Sequence, residues 1–165
     1  MKQTTSIETS PTAIVAALSG IETSASAVGT VLSISPIEDD HNCLERIFSE
    51  FRWTLHRALT LPSAKTFLAE NHAPVVICER DLAPGTWKDL LDGAIVLPQP
   101  PCVIVTSRLA DEYFWAEALH VGAYDVLAKP FQTEEVIRIV SLASRSWHDQ
   151  YLLTRVPATP KLRVV

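Results

Sequence analysis

Cysteine is scarce. Cys43, Cys78 and Cys102 stand far apart and form no CxxC pair. An odd, unclustered set argues against a disulfide framework or a zinc site and suits a reducing cytoplasm. The five histidines, His41, His56, His72, His120 and His148, show no ligand spacing, so no metal is expected from them. No apolar run approaches the roughly 18 residues a membrane span needs, so no membrane association is expected. The amino-terminal stretch has one Lys, then Glu8, and only the short apolar run from Ala13 to Leu18, which makes a poor secretion signal. Positive charge is in deficit, with 14 Lys and Arg against 19 Asp and Glu and a formal net charge of −5. A nucleic-acid partner is therefore not expected from charge. The chain has no Gly-rich phosphate loop, no Ser-His-Asp order and no internal repeat. Nothing points to an enzyme, and no cofactor is expected.

What is present is a real core and a regular alternation. Hydrophobic residues make up 47% of 165 residues, enough for one domain with tails. Residues 1–28, rich in Ser, Thr and Ala, are expected to be a disordered leader. Its TAIVAALSGI run is compatible with a transient helix or an added strand. Residues 29–149 form the predicted domain. Residues 150–165, with Arg155, Lys161 and Arg163 and no acid, are expected to be a flexible tail. No segment after residue 150 is long enough for an output domain.

Within the domain, apolar strands centred on Val31–Ile34, Trp53–Leu59, Val75–Cys78, Val103–Val105 and Val126–Leu127 alternate with amphipathic stretches. The first of these carries Leu44, Ile47, Phe48 and Phe51 on one face. The second begins with Pro62 and turns Ala64, Phe67 and Leu68 inward. The third carries Trp87, Leu90 and Leu91. The fourth, from Asp111 to Val121, is expected to bury Trp115, Ala118 and Leu119, leaving Tyr113 or Phe114 partly exposed. The fifth starts near Thr133 and buries Val136, Ile139, Val140 and Ala143. Such alternation implies an α/β fold with right-handed crossovers and a parallel sheet covered on both faces. Ligands in these folds sit at the carboxyl ends of the strands.

Particular residues stand at those ends. Lys129-Pro130-Phe131 follows the fifth strand, Gly122-Ala123 precedes it, and Thr106 closes the fourth. On these residues, positions 30 to about 147 resemble the receiver domain of bacterial two-component response regulators. The resemblance implies a flavodoxin-like three-layer α/β/α fold with a five-stranded parallel sheet of order 2-1-3-4-5. It implies that Thr106 is the switch hydroxyl and that Lys129 binds an anionic group, ahead of a cis bond to Pro130. Ungapped alignment from the first strand to the third puts Glu79 at the phosphoacceptor position.

The chain departs from that pattern where the chemistry is most demanding. A working receiver needs an aspartate acceptor and an acidic pair that helps hold Mg²⁺. Ser35 and Pro36 occupy the acidic-pair positions, and Mg²⁺ usually requires one or two carboxylates. Glu38, Asp39 and Asp40 are expected to serve the dipole of the first helix. Glu79 either imitates a phosphorylated state or only neutralises Lys129. Asp81 reads as a solvated acid near the site. Val126 lies where the resemblance implies a Tyr or Phe that moves with the switch hydroxyl. The expected function is a pseudo-receiver in two-component-type signalling, acting through protein–protein contacts without Mg²⁺-dependent aspartyl phosphorylation. The alternative is a phosphorylatable regulator of a phosphorelay with an atypical acceptor at Glu79 or Asp81. Implied partners are a histidine kinase or another regulator. A homodimer through the face of the fourth helix, fifth strand and fifth helix is also implied.

Overall fold

Val75–Glu79 (β3) is a strand of five consecutive buried residues. A strand without an exposed alternate residue has to be covered on both faces. The structure, a computed structural model, describes residues 29–154; residues 1–28 and 155–165 lie outside the described residues. The other sheet strands are β1 (Gly29–Ile34), β2 (Trp53–Ala58), β4 (Cys102–Ser107) and β5 (Asp125–Ala128). The helices are α1 (Glu38–Ser49), α2 (Leu61–Glu70), α3 (Trp87–Ala94), α4 (Glu112–Val121) and α5 (Thr133–Thr154). All neighbouring sheet strands pair in parallel, in the order β2-β1-β3-β4-β5, which is the expected 2-1-3-4-5.

Each face of the sheet has its own core. Val31, Val75, Ile77, Ile104 and Leu127 pack against Leu44, Ile47 and Phe48 of α1 and Val136, Ile139, Val140 and Ala143 of α5. Leu32, Val76, Cys78, Val103, Val105 and Val126 pack against α2, α3 and α4. Gly29 lies opposite Trp53 in the β1–β2 register, and a Cβ there would fall within the Trp53 ring. Helix α2 starts on a capping box, with Thr60 and Ser63 satisfying each other's backbone N–H groups.

Three local expectations are corrected and one unread feature is added. Phe51 lies beyond the end of α1 and is exposed, so the inward stripe ends at Phe48. In α4 the buried residues are Phe114 and Ala118, while Trp115 is 48% and Leu119 37% exposed. The physical reason is polar as much as steric: the Trp115 indole N–H donates to Asp125 at 3.1 Å on the surface, where burial would leave it without a partner. Phe114 instead meets Trp87 edge-on at 6.0 Å. The link from β3 to α3 contains a small antiparallel hairpin, Asp81–Leu82 with Gly85–Thr86, around a cis Ala83-Pro84 bond. Finally, α5 continues to Thr154, beyond the boundary drawn at residue 149.

Candidate functional site

Parallel pairing aligns the strand ends, and so brings distant side chains together. Glu79 is the last residue of β3 and lies in register with Thr106 on β4, while Ser107 is in register with Ala128, the last residue of β5. Lys129 follows, its N–H donating to the Ser107 carbonyl at 3.0 Å and its peptide bond to Pro130 cis. From there the Lys129 ammonium turns across the strand ends and makes ion pairs with both Glu79 and Asp40. The three side chains are only 6%, 9% and 10% exposed respectively.

Every oxygen of Glu79 has a donor. Oε2 accepts Lys129 and the Thr106 hydroxyl, at 3.3 Å for the latter, and Oε1 accepts the N–H of Asp81 at 3.4 Å. Asp40 is held similarly: its Oδ2 accepts Lys129 and, at 2.6 Å, the Ser35 hydroxyl. Ser35 is fixed in turn. Its Oγ accepts the N–H of Ile37 at 3.1 Å, its own N–H donates to Ala58, and its carbonyl accepts the ring Nε2–H of His41 at 2.9 Å. His41 is fully buried and its Nδ1 has no partner among the described residues. Burial beside the Glu79 charge drives the Cys78 thiol far above its ordinary range, so that sulfur stays protonated and acts as core.

The structure thus brings Glu79, Thr106, Lys129 and Ser35 into one cluster. Pro36 and Pro130 are exposed and contribute no side-chain donor or acceptor to it. Asp81 stands at the rim, exposed, and is bridged by Arg80 at 3.0 Å. Asp40 is the functional residue that sequence reading missed. It was assigned to the helix dipole with Glu38 and Asp39, but its side chain turns inward. The signal was there in the spacing, since Asp40 stands four residues before Leu44 and seven before Ile47, on the buried face of α1.

A divalent cation does not fit this arrangement. The two buried carboxylates share an ammonium between them, and the neighbouring Ser35 and Pro36 offer a hydroxyl and no further side-chain ligand. Mg²⁺ at the same place would have to displace the lysine with which both carboxylates pair. Among the described residues, no group of three or more His, Cys, Asp or Glu is placed to hold a metal ion.

The sheet order, the five covering helices and a lysine–hydroxyl–carboxylate cluster at the strand ends define the class of fold: that of response regulator receiver domains. The similar solved structures include the signal receiver domain of a LuxO-type repressor from Vibrio parahaemolyticus, with a TM-score of 0.70 and 18% identity over 76% of this chain and 96% of that one. The receiver domain of an HD domain-containing protein from Pseudomonas fluorescens matches with a TM-score of 0.68 and 23% identity, over 74% of this chain and 91% of that one. The beryllofluoride-activated NtrC4 receiver domain dimer matches with a TM-score of 0.66 and 24% identity, over 72% and 98% respectively. No protein-family model matches the sequence, and no curated protein matches it. No helix among the described residues is long and apolar enough to cross a membrane.

Proposed function

We propose that this chain is a pseudo-receiver: a signalling module that binds other proteins and does not depend on phosphorylation at the strand ends. The observation that carries this reading is the double ion pair of Lys129 with Glu79 and Asp40. A phosphoacceptor carboxylate has to present an oxygen to phosphorus in line, with a metal ion neutralising the transferred group. Here both Glu79 oxygens are already occupied by donors, and the lysine and hydroxyl that would hold a phosphoryl group hold the carboxylate itself. Glu79 therefore plays the part of a permanent internal anion.

The same reading makes the chain a cytoplasmic binding module with no enzymatic activity of its own. Its partner is a histidine kinase or another regulator. The surface of α4, β5 and α5 is the contact face, with a second copy of the chain as a further partner. The exposed Trp115 and Leu119 on α4 support an apolar contact there, and the matching NtrC4 receiver is itself a dimer.

The deciding experiment is incubation with acetyl phosphate and Mg²⁺ followed by intact mass measurement. No phosphoryl adduct is expected, and partner capture is expected to be the same with and without the phosphodonor. An adduct abolished by Glu79→Gln or Asp81→Asn would establish the atypical acceptor instead.

A further inference from the structure

The pole opposite the Lys129 cluster, where the strands begin, carries apolar surface that nothing among the described residues covers. Ile95 and Val96, which follow α3, are 74% and 79% exposed. Their exposure is built in. The Ile95 N–H donates to the Leu91 carbonyl at 3.0 Å and the Leu97 N–H to that of Ala94 at 3.1 Å, so the turn is fixed with both side chains outward. The next residue, Leu97, lines a cleft of about 140 Å³ together with Pro98 and Pro101. Leu68, Ala69 and Ala73, from the end of α2 and the approach to β3, line it as well. We propose that this cleft and the Ile95–Val96 pair are the docking place of the chain's own apolar run at residues 13–21. The inference stands apart from the reading of Glu79.

Chemistry selects that occupant. The loop before β4 offers few backbone donors, because Pro98, Pro100 and Pro101 have no N–H. Whatever lies there has to be held by apolar side chains rather than by strand addition. Ile14, Val15, Leu18 and Ile21 supply them, within a stretch, residues 9–21, that carries no charge. Contact between this run and the exposed pair removes apolar surface from water on both sides. The carboxyl-terminal tail fits less well, since Lys161 and Arg163 flank its Leu162.

Reach agrees with chemistry. The chain enters β1 at Gly29, at this same pole. Val31 pairs with Val75 on β3, and Val75 with Cys102 on β4. The starts of β3 and β4 therefore stand one and two strand spacings from β1, about 5 and 10 Å away. Residues 22–28, the link between the run and Gly29, span up to about 23 Å when extended. Ile21 and Leu18 can thus arrive at the cleft without any movement of the sheet or its helices.

The test compares amide chemical shifts of the isotopically labelled full chain with those of its Leu18→Asp variant. Differences are expected at His72, Ala73, Ile95, Val96, Leu97 and Gln99, all far from position 18 in sequence, and they should not change on dilution. A synthetic peptide of residues 9–22, added to the Leu18→Asp chain, should return these amides toward their wild-type positions and saturate. Adding Val96→Asp to that chain should weaken peptide binding about tenfold, while leaving the dispersed spectrum of the fold intact. Differences confined to residues 9–28, or a peptide affinity unchanged by Val96→Asp, overturn the proposal. Cleft shifts that depend on concentration assign the surface to a second copy of the chain. Cleft shifts produced by Leu162→Asp and not by Leu18→Asp assign it to the tail. Either of these results also overturns it.

Discussion

Asp40 and Lys129 form a buried ion pair across 89 positions of sequence, joining the first turn of α1 to the residue that follows β5. Glu79 shares the same ammonium. The cluster therefore holds two carboxylates and one lysine, and its members are not equivalent. Lys129→Met leaves two adjacent buried carboxylates without a counter-charge and should cost about 3–5 kcal/mol. Asp40→Asn and Glu79→Gln each leave one complete ion pair and should cost about 1–2 kcal/mol. Urea unfolding of the three variants checks the order. Equal midpoints for Lys129→Met and Asp40→Asn would contradict it.

The helical phase of α4 gives a second expectation. Phe114→Ala removes a ring packed against Trp87 and under Arg80, and should destabilise by about 3–5 kcal/mol. Trp115→Ala removes a half-exposed ring and one surface hydrogen bond, and should cost under about 1.5 kcal/mol. Thermal or chemical denaturation of this pair separates the observed phase from the one expected from the sequence, which would rank them the other way.

Cys102 offers a pH-dependent readout. Burial pushes its thiol up to about 11 from an ordinary 9.0. Only the thiolate alkylates, so at pH 8 the reactive fraction should be about a hundredfold below that of an unperturbed thiol. The rate should then climb with pH until about 11. Mass analysis of the Cys102 peptide after timed alkylation of the folded chain measures this. A rate that levels off near pH 9 would show an ordinary thiol.

Gly122 ends α4 with φ at +120°, a conformation that side-chain-bearing residues rarely adopt. An added Cβ would meet nothing within 4 Å, so the cost of Gly122→Ala is backbone strain alone. A loss of about 1–3 kcal/mol in unfolding free energy is expected, without a change in the core. No measurable loss would mean that the turn relaxes freely.

The parallel α/β architecture was legible because five apolar runs alternate with amphipathic stretches, and because a run such as Val75–Cys78 only makes sense with both faces covered; the strand order came from the resemblance. The resemblance singled out Glu79, Thr106 and Lys129, and parallel register, which places strand termini side by side, explains why they meet. Asp40 was not read correctly because an acidic triplet at a helix start is satisfied by the dipole alone; only the long-range approach of Lys129 gives its third member a different use. In α4, two helical stripes both contain Ala118, and hydrophobicity does not rank Phe114 against Trp115. The indole N–H and its bond to Asp125 decide it, and that partner sits on another element. The hairpin after β3 depends on the pairing of Asp81 with Thr86, which has no periodic signature.

The direction of α5 has a practical consequence. The helix leaves the carboxyl edge of the sheet after β5 and runs back over it, and its 22 residues span roughly 33 Å, against about 20 Å for a six-residue strand. Its far end therefore overhangs the amino edge, the side on which β1 begins at Gly29. Fluorophores or affinity handles attached at Leu152, exposed near the end of α5, should lie opposite the Lys129 cluster, leaving it accessible in a binding assay.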